Sequence, residues 1–226
     1  MLFTKQAVQD NIRNREGKRV FYLGKGDQLT WEARDFLTRE RIEILLASEA
    51  KPTCYRLENG GFMEHKPEHM THLNGDVLVE KTHPRILFRG AVDTLEAELL
   101  LAAAHATGQI RSQLEEALQY TRMLLRNEVL NEPVSAEKLG GMDEKALRER
   151  SHRPQDFYGQ PHFMPAPTDS LLLLQVNKAR CAARAAELKA VAAFSADRED
   201  LLRAFNRLSS FLYLIMIQLK KEKNDG

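Results

Sequence analysis

Two arginines spaced four apart stand out in the stretch VNKARCAARAAELK. They are Arg180 and Arg184, followed at the next turn by Glu187. In a helix this spacing stacks both guanidinium groups on one face, about 6 Å apart along the axis. Two forked cations on one stripe can grip phosphate oxygens or a carboxylate bidentately, and the flanking alanines leave them unobstructed. The same spacing also describes a solvated salt-bridge ladder with no chemistry of its own. A second set opens the stretch HPRILFRGAVDTLEA, where Arg85, Arg89, Asp93 and Glu96 crowd the start of an apolar helix. Carboxylates there compensate the helix dipole, but cations are unfavourable at an N-terminus and call for an anion. Asn206 interrupts the apolar run of the last long helix. Buried, it needs partners, which a ligand or a helix-register contact would equally supply.

Weaker signals lie nearer the N-terminus. His65, His69 and His72 in EHKPEHMTH have no recognised ligand spacing, and Pro67 breaks any helix there, so surface or loop histidines are the default. KGDQLT (25–30) reads either as a partial phosphate-cradling turn or as a plain strand-to-helix turn with Thr30 as N-cap.

These residues need elements to hold them. Leu and Ala recur at helical spacing over 92–106, an amphipathic pattern follows over 110–130, and further helices are expected over about 170–193 and from Asp197 onward. Residues 131–167 hold five prolines, a Gly-Gly pair and one short helical run, MDEKALRERS, a break long enough to be a functional loop. The apolar runs LLLLQV and FLYLIMI exceed one bundle seam and imply burial against other subunits. Earlier in the chain, KRVFYLG and RIEILLA read as strands around the helix LTWEARDFLTRE, and 51–82 as loop with a little strand at DVLVEK. The expectation is a mainly α protein: an up-and-down bundle of about five helices over 81–222, with a small N-terminal α+β region over 1–80.

Composition narrows the partners. Lys+Arg (33) nearly balance Asp+Glu (32) over 226 residues, so no positive excess points to nucleic acid or a membrane surface. FLYLIMI falls short of the roughly 20 residues a bilayer span needs, and the N-terminal residues hold no apolar run of a signal peptide. Two cysteines, Cys54 read as a free thiol and Cys181 as a small core residue, fit a cytoplasmic protein without disulfides or a four-cysteine metal cage.

Three segments in order resemble one family. HPRILFRGAVDTLEA resembles the start of the first bundle helix of ATP:cob(I)alamin adenosyltransferases. ARCAARAAEL resembles their arginine helix, usually A-R-x-x-C-R-R-A-E-R, and FNRLSSFLY resembles their L-N-R-L-S-D-x-L-F. LTWEARDFL, KPEHMTHLNG and the HF-P linker before VNKAR are closest to the ethanolamine-utilisation type. The resemblance implies transfer of the 5′-deoxyadenosyl group of ATP to cob(I)alamin, with Mg²⁺, in a homotrimer whose nucleotide sites lie between subunits. It implies a catalytic set of Arg180, Asp93 pairing with it across the interface, and Phe163 as the apolar wall below the corrin, with Met164 or Phe157 as alternatives. Lys81, Arg85, Arg89, Arg184, Glu187 and Asn206 would bind ATP. A corrinoid reductase, ethanolamine ammonia-lyase and a bacterial microcompartment are the implied surroundings; the rival is a non-catalytic bundle scaffold or adaptor of such a compartment. Three positions depart from the pattern: Ala185 and Leu188 stand where the family has arginines, and Ser210 replaces an Asp. The Cys-Cys-x-x-Cys cluster of some members is missing from TCYRLENGGFMEHKPEH, so no structural transition metal is expected.

Overall fold

The computed structural model describes residues 1–15, 18–46, 55–135 and 138–225. Two compact units result, Met1–His83 and Pro84–Gly226. Cys54 lies outside the described residues.

In the first unit the chain runs β1 (Leu2–Phe3), α1 (Lys5–Asp10), β2 (Arg13–Arg15), β3 (Lys18–Leu23), β4 (Gln28–Leu29), α2 (Trp31–Arg39) and β5 (Glu43–Leu46). β3 and β5 pair in parallel, Val20 opposite Glu43 through Leu23 opposite Leu46, with α2 in the crossover between them. Phe3, Val8, Phe21, Ala33, Leu37 and Ile42 form the core beneath. The KGDQLT stretch is the plain turn: Thr30 accepts the Ala33 N–H at 3.2 Å as N-cap, and the Asp27 carboxylate accepts the Gly24 N–H at 3.1 Å, closing the loop on itself.

The strand expected at DVLVEK is present, but the described residues around it, read as loop, add three more short strands, so that β6 (Tyr55–Leu57), β7 (Phe62–Met63), β8 (Met70–Asn74) and β9 (Val77–Glu80) form a sheet in the order β7-β6-β9-β8. Strands of two to five residues leave too little alternation to stand out from a polar sequence. The legible signal was Asn74-Gly75: Gly75 takes φ +52° in the turn joining β8 to β9.

The second unit holds α3 (Pro84–His105), α4 (Gly108–Leu130), α5 (Glu144–His152), α6 (Pro154–Tyr158), α7 (Leu171–Phe194) and α8 (Glu199–Asp225). Pro84 opens α3, where its missing N–H leaves no bond unmade. α3 and α7 run antiparallel, fixed by Phe88 against Phe194 at one end and Gln175 against His105 at the other. α8 starts where α4 ends, with Asp200 accepting the Val134 N–H at 2.8 Å. The hairpins α3/α4 and α7/α8 are therefore antiparallel, and the crossover between them makes α4 and α7 parallel.

Small residues govern the α7 seam. Ala179, Ala183, Ala186 and Ala190 are fully buried at helical spacing, so backbones approach closely. Cys181 falls off this stripe and is exposed, not the core residue expected from its neighbours. The apolar run of α8 is consumed inside the chain: Phe211, Leu212, Leu214, Ile215 and Met216 are all fully buried, and α5 and α6 pack against α8. The crossover read as a coreless loop supplies that cover. Leu139 and Met142 exchange two 3.0 Å backbone hydrogen bonds around Gly140-Gly141. Gly140 has φ +59°, and a Cβ there would meet the Phe211 ring at 2.6 Å, so both backbone angle and space exclude a side chain. The large exposed apolar residues of the bundle lie instead on α3 (Leu87, Leu100, Leu101), the end of α4 (Val129, Leu130) and α7 (Leu171, Leu188, Val191). Among the described residues no helix is long and apolar enough to cross a membrane.

Asp200 carries a pH signature. Burial by itself raises its pKa, but the Arg198 hydrogen bond, the backbone N–H groups of Val134 and Leu201 and the Arg198 charge outweigh burial and hold the carboxyl below its ordinary 3.8. A depressed folded pKa contributes stability above the unfolded value and loses it as pH falls through the folded one. The stability gap between the wild-type chain and Asp200→Asn, read from urea midpoints, should therefore narrow on acidification from about pH 5 to about pH 3. A gap that holds constant would remove Asp200 from the acid response.

Candidate functional site

Arg180 and Arg184 lie together in one open cleft of about 320 Å³, between α7, the C-terminus of α5, the crossover and α8. Ser151, His152, His162, Ser209, Ser210 and Tyr213 complete its lining. Arg180 donates from Nε and Nη2 to the Asn177 Oδ1 at 3.2 and 3.0 Å, a neutral acceptor, so among the described residues its charge is uncompensated. Arg184 is exposed and has no ion pair or hydrogen bond among the described residues. The cleft holds hydroxyls and cations but no carboxylate. Ser210, standing where the resembling pattern has an Asp, donates its hydroxyl to the Asn206 carbonyl at 3.2 Å and offers only oxygen lone pairs to a ligand. An anion entering here meets two guanidiniums one turn apart and no competing acid.

Asn206 is held at both ends of its amide. Nδ2 donates to the Glu187 Oε1 at 3.0 Å, bridging α8 to α7, and Oδ1 accepts from the Arg207 Nη2 at 2.8 Å. Of the two roles open from sequence, the helix-register contact is made.

Phe163 packs partly buried against the bundle core. Its ring stacks on Tyr213 at 6.3 Å between centroids, and the Lys220 ammonium stands 5.2 Å over it. Of the alternatives, Met164 is 89% exposed. Phe157 is exposed, with the Arg150 guanidinium 5.5 Å over its ring.

Arg85 and Arg89 were read as cations in need of an anion. They do have an anion, but it belongs to the chain: Arg85 Nε donates to the Glu128 Oε1 at 2.6 Å, and Arg89 Nε to Oε2 at 2.7 Å. Glu128 is fully buried on α4, and the two guanidiniums satisfy its carboxylate from α3. In the chain by itself they tie α3 to α4. Glu128 was missed, although it continues the buried stripe Leu114, Leu118, Thr121, Leu124, and a carboxylate on such a stripe demands cations.

Asp93 is exposed on α3 and forms no ion pair among the described residues. Lys81 belongs to the first unit, exposed just after β9. His72 sits edge-on to the Tyr55 ring at 5.6 Å, and His65 and His69 are exposed. Among the described residues no group of three His, Cys, Asp or Glu is placed to hold a metal ion.

Comparison with known proteins agrees with this architecture. The family model for cobalamin adenosyltransferase matches residues 62–219. The corrinoid adenosyltransferase EutT of Salmonella typhimurium is 31% identical over 164 residues, and that of Escherichia coli K12 is 29% identical over the same length. Each alignment covers 67% of this chain but 59% of the relative, so the chain spans about three fifths of the length of these relatives. Among solved structures, a variant PduO-type ATP:co(I)rrinoid adenosyltransferase from Lactobacillus reuteri complexed with ATP superposes with a TM-score of 0.57 at 18% identity, covering 70% of this chain and 92% of that one. A second variant of PduO type from the same organism, complexed with cobalamin and ATP, gives 0.54 at 20% identity, covering 68% and 89%. At these identities the superpositions speak for the bundle fold. The matched span takes in the helical unit nearly to its end and the strands β7, β8 and β9 that precede it in sequence, and on that span the chain belongs to the cobalamin adenosyltransferase family.

Proposed function

We propose that the chain transfers the 5′-deoxyadenosyl group of ATP to cob(I)alamin and releases triphosphate. The observation that carries this reading is the pair of uncompensated guanidiniums, Arg180 and Arg184, in a cleft without carboxylates. Family membership, the names of the two relatives and the ligands of the two solved neighbours support it.

The chemistry asks little proton transfer of the protein. Co(I) of the corrinoid substrate is already a strong nucleophile. It attacks the 5′-carbon of ATP, the C5′–O bond breaks, and the electron pair leaves with the triphosphate. Arg180 and Arg184 hold and neutralise that leaving anion in line with attack. The Glu187–Asn206 bridge keeps the two helices in register beside the nucleotide. Phe163 supplies an apolar surface that keeps water and base from the lower face of the corrin, which eases reduction of cobalt. Mg²⁺ finds no carboxylate in the cleft, so no residue is assigned to it; it fits as a passenger of the nucleotide's own phosphates, with its waters.

The assembly belongs to the same proposal. In a homotrimer, Asp93 of one copy faces Arg180 of the next, and exposed leucines of α3 and α7 lie on the helices that would meet. A corrinoid reductase would deliver the reduced substrate, and ethanolamine ammonia-lyase, in a microcompartment, would use the product.

Ultraviolet-visible spectroscopy tests the reading. Under anaerobic reducing conditions, chain, ATP and cobalamin should yield a product whose spectrum changes on illumination, as a photolabile cobalt–carbon bond requires. No such product across nucleotides and corrinoids would leave the scaffold reading standing.

A further inference from the structure

The geometry points to Tyr213 as a positioning residue for Phe163, acting through a hydroxyl clasp of this chain's own. The inference rests on the proposed role of Phe163 as the wall below the corrin. Phe163 lies midway along the segment 159–170, which joins α6 to α7 without helix or strand. A side chain on such a segment holds one orientation only if something fixes the backbone beside it.

Two consecutive residues are fixed by one hydroxyl. The His162 Nε2 lies 3.2 Å from the His152 carbonyl oxygen, which can only accept, so Nε2 carries the proton. In the neutral ring Nδ1 then accepts, and at 2.9 Å it receives the Tyr213 O–H. The same Tyr213 oxygen accepts the Phe163 N–H at 3.4 Å. The rings add to the hold: His162 lies nearly parallel to Tyr213, 5.7 Å between centroids and 14° apart. The chain of bonds thus runs from the end of α5, through the segment, to α8.

A second anchor stands two turns further along α8. The Lys220 Nζ is 2.5 Å from the Asp169 Oδ1, whose side chain is fully buried, and the same ammonium caps the Phe163 ring. Asp169 Oδ2 accepts the Ala166 N–H at 2.8 Å, which closes the far end of the segment. The Phe163 ring therefore contacts both the Tyr213 ring and the Lys220 cation. The family pattern that FNRLSSFLY resembles ends in Phe. The ring is common to both, and the hydroxyl with its two bonds is the addition here.

Tyr213→Phe keeps the ring and removes both bonds, so it isolates the clasp. In hydrogen exchange of the intact chain, the Phe163 amide should exchange about five- to tenfold faster, the equivalent of one net hydrogen bond, while α7 and α8 keep their protection. An unchanged Phe163 amide, or loosening spread through α7 and α8, overturns the clasp. In steady-state turnover the corrinoid KM should rise about fivefold and the ATP KM by clearly less, because Arg180 and Arg184 make none of the clasp's bonds although Tyr213 and His162 line the same cleft. Equal rises in both, or no rise in the corrinoid KM, overturn the positioning role. A wild-type chain that makes no adenosylated product sinks the assigned reaction instead, and the exchange measurement still decides the clasp.

Discussion

Replacing Arg180 by alanine is expected to abolish adenosylation and to weaken self-association together. On the assigned reaction the triphosphate gathers charge as the C5′–O bond breaks, and a pre-placed donor aimed at developing charge is worth about 10²–10³ in rate. Among the described residues the guanidinium meets only neutral partners, the Asn177 oxygen and the Cys181 sulfur, so its field is available to a ligand anion. The same residue is proposed to meet Asp93 of a neighbouring copy, and an interfacial carboxylate left without its cation costs on the order of 3–5 kcal/mol where it is buried. Two measurements separate the roles: turnover by spectroscopy, and mass by light scattering. The exchange of charges in Asp93→Arg with Arg180→Asp should restore association without restoring turnover, because the cleft then presents a carboxylate to triphosphate. Near-wild-type turnover of Arg180→Ala would end the assignment of the cleft. A wild-type chain that stays monomeric at all concentrations would end the shared-interface part alone.

The arginine pair was legible because its signal is local. The i,i+4 spacing on an Ala-rich helix puts Arg180 and Arg184 on one face before anything is known of the fold. The long helices were legible for the same reason, since their apolar period is read within one segment. What escaped needs knowledge of which segments meet. Arg85 and Arg89 were correctly read as cations in need of an anion, but the anion lies about forty residues away in sequence, on α4. Asn206 was left between ligand and register contact until Glu187 was seen opposite it on α7. The run FLYLIMI looked too apolar for one seam because α5 and α6, which pack against α8, come from a stretch that reads as a break. Tyr213 read only as one more aromatic of α8, because its hydroxyl acts on residues fifty positions earlier. In each case the residue type was informative and the partner was not, since pairing across the bundle is fixed by packing rather than by spacing.

Breaking the Glu128 clamp should destabilise the helical unit more than any single change in the cleft. The carboxylate is fully buried and receives Arg85 on Oε1 and Arg89 on both oxygens; Arg85 also donates to the Glu128 carbonyl at 3.2 Å and lies 5.6 Å over the Phe194 ring. The clamp ties the start of α3 to the end of α4, and through Phe194 to the end of α7. Removing one partner of a buried ion pair leaves charge without compensation, so Glu128→Ala is expected to lose about 3–5 kcal/mol, a large part of the 5–15 kcal/mol that holds a typical domain. The denaturant midpoint of the helical signal should fall accordingly. A loss below about 1 kcal/mol would mean that water already reaches the site. The triple change Arg85→Met, Arg89→Met, Glu128→Leu removes all three charges at once and should recover much of the loss, as apolar replacements of buried charge clusters do. That variant also tests whether the two arginines reach the nucleotide. If they serve Glu128 rather than a polyphosphate, the refolded triple variant keeps an ATP KM close to wild type; a KM raised tenfold or more with stability restored would return Arg85 and Arg89 to the nucleotide.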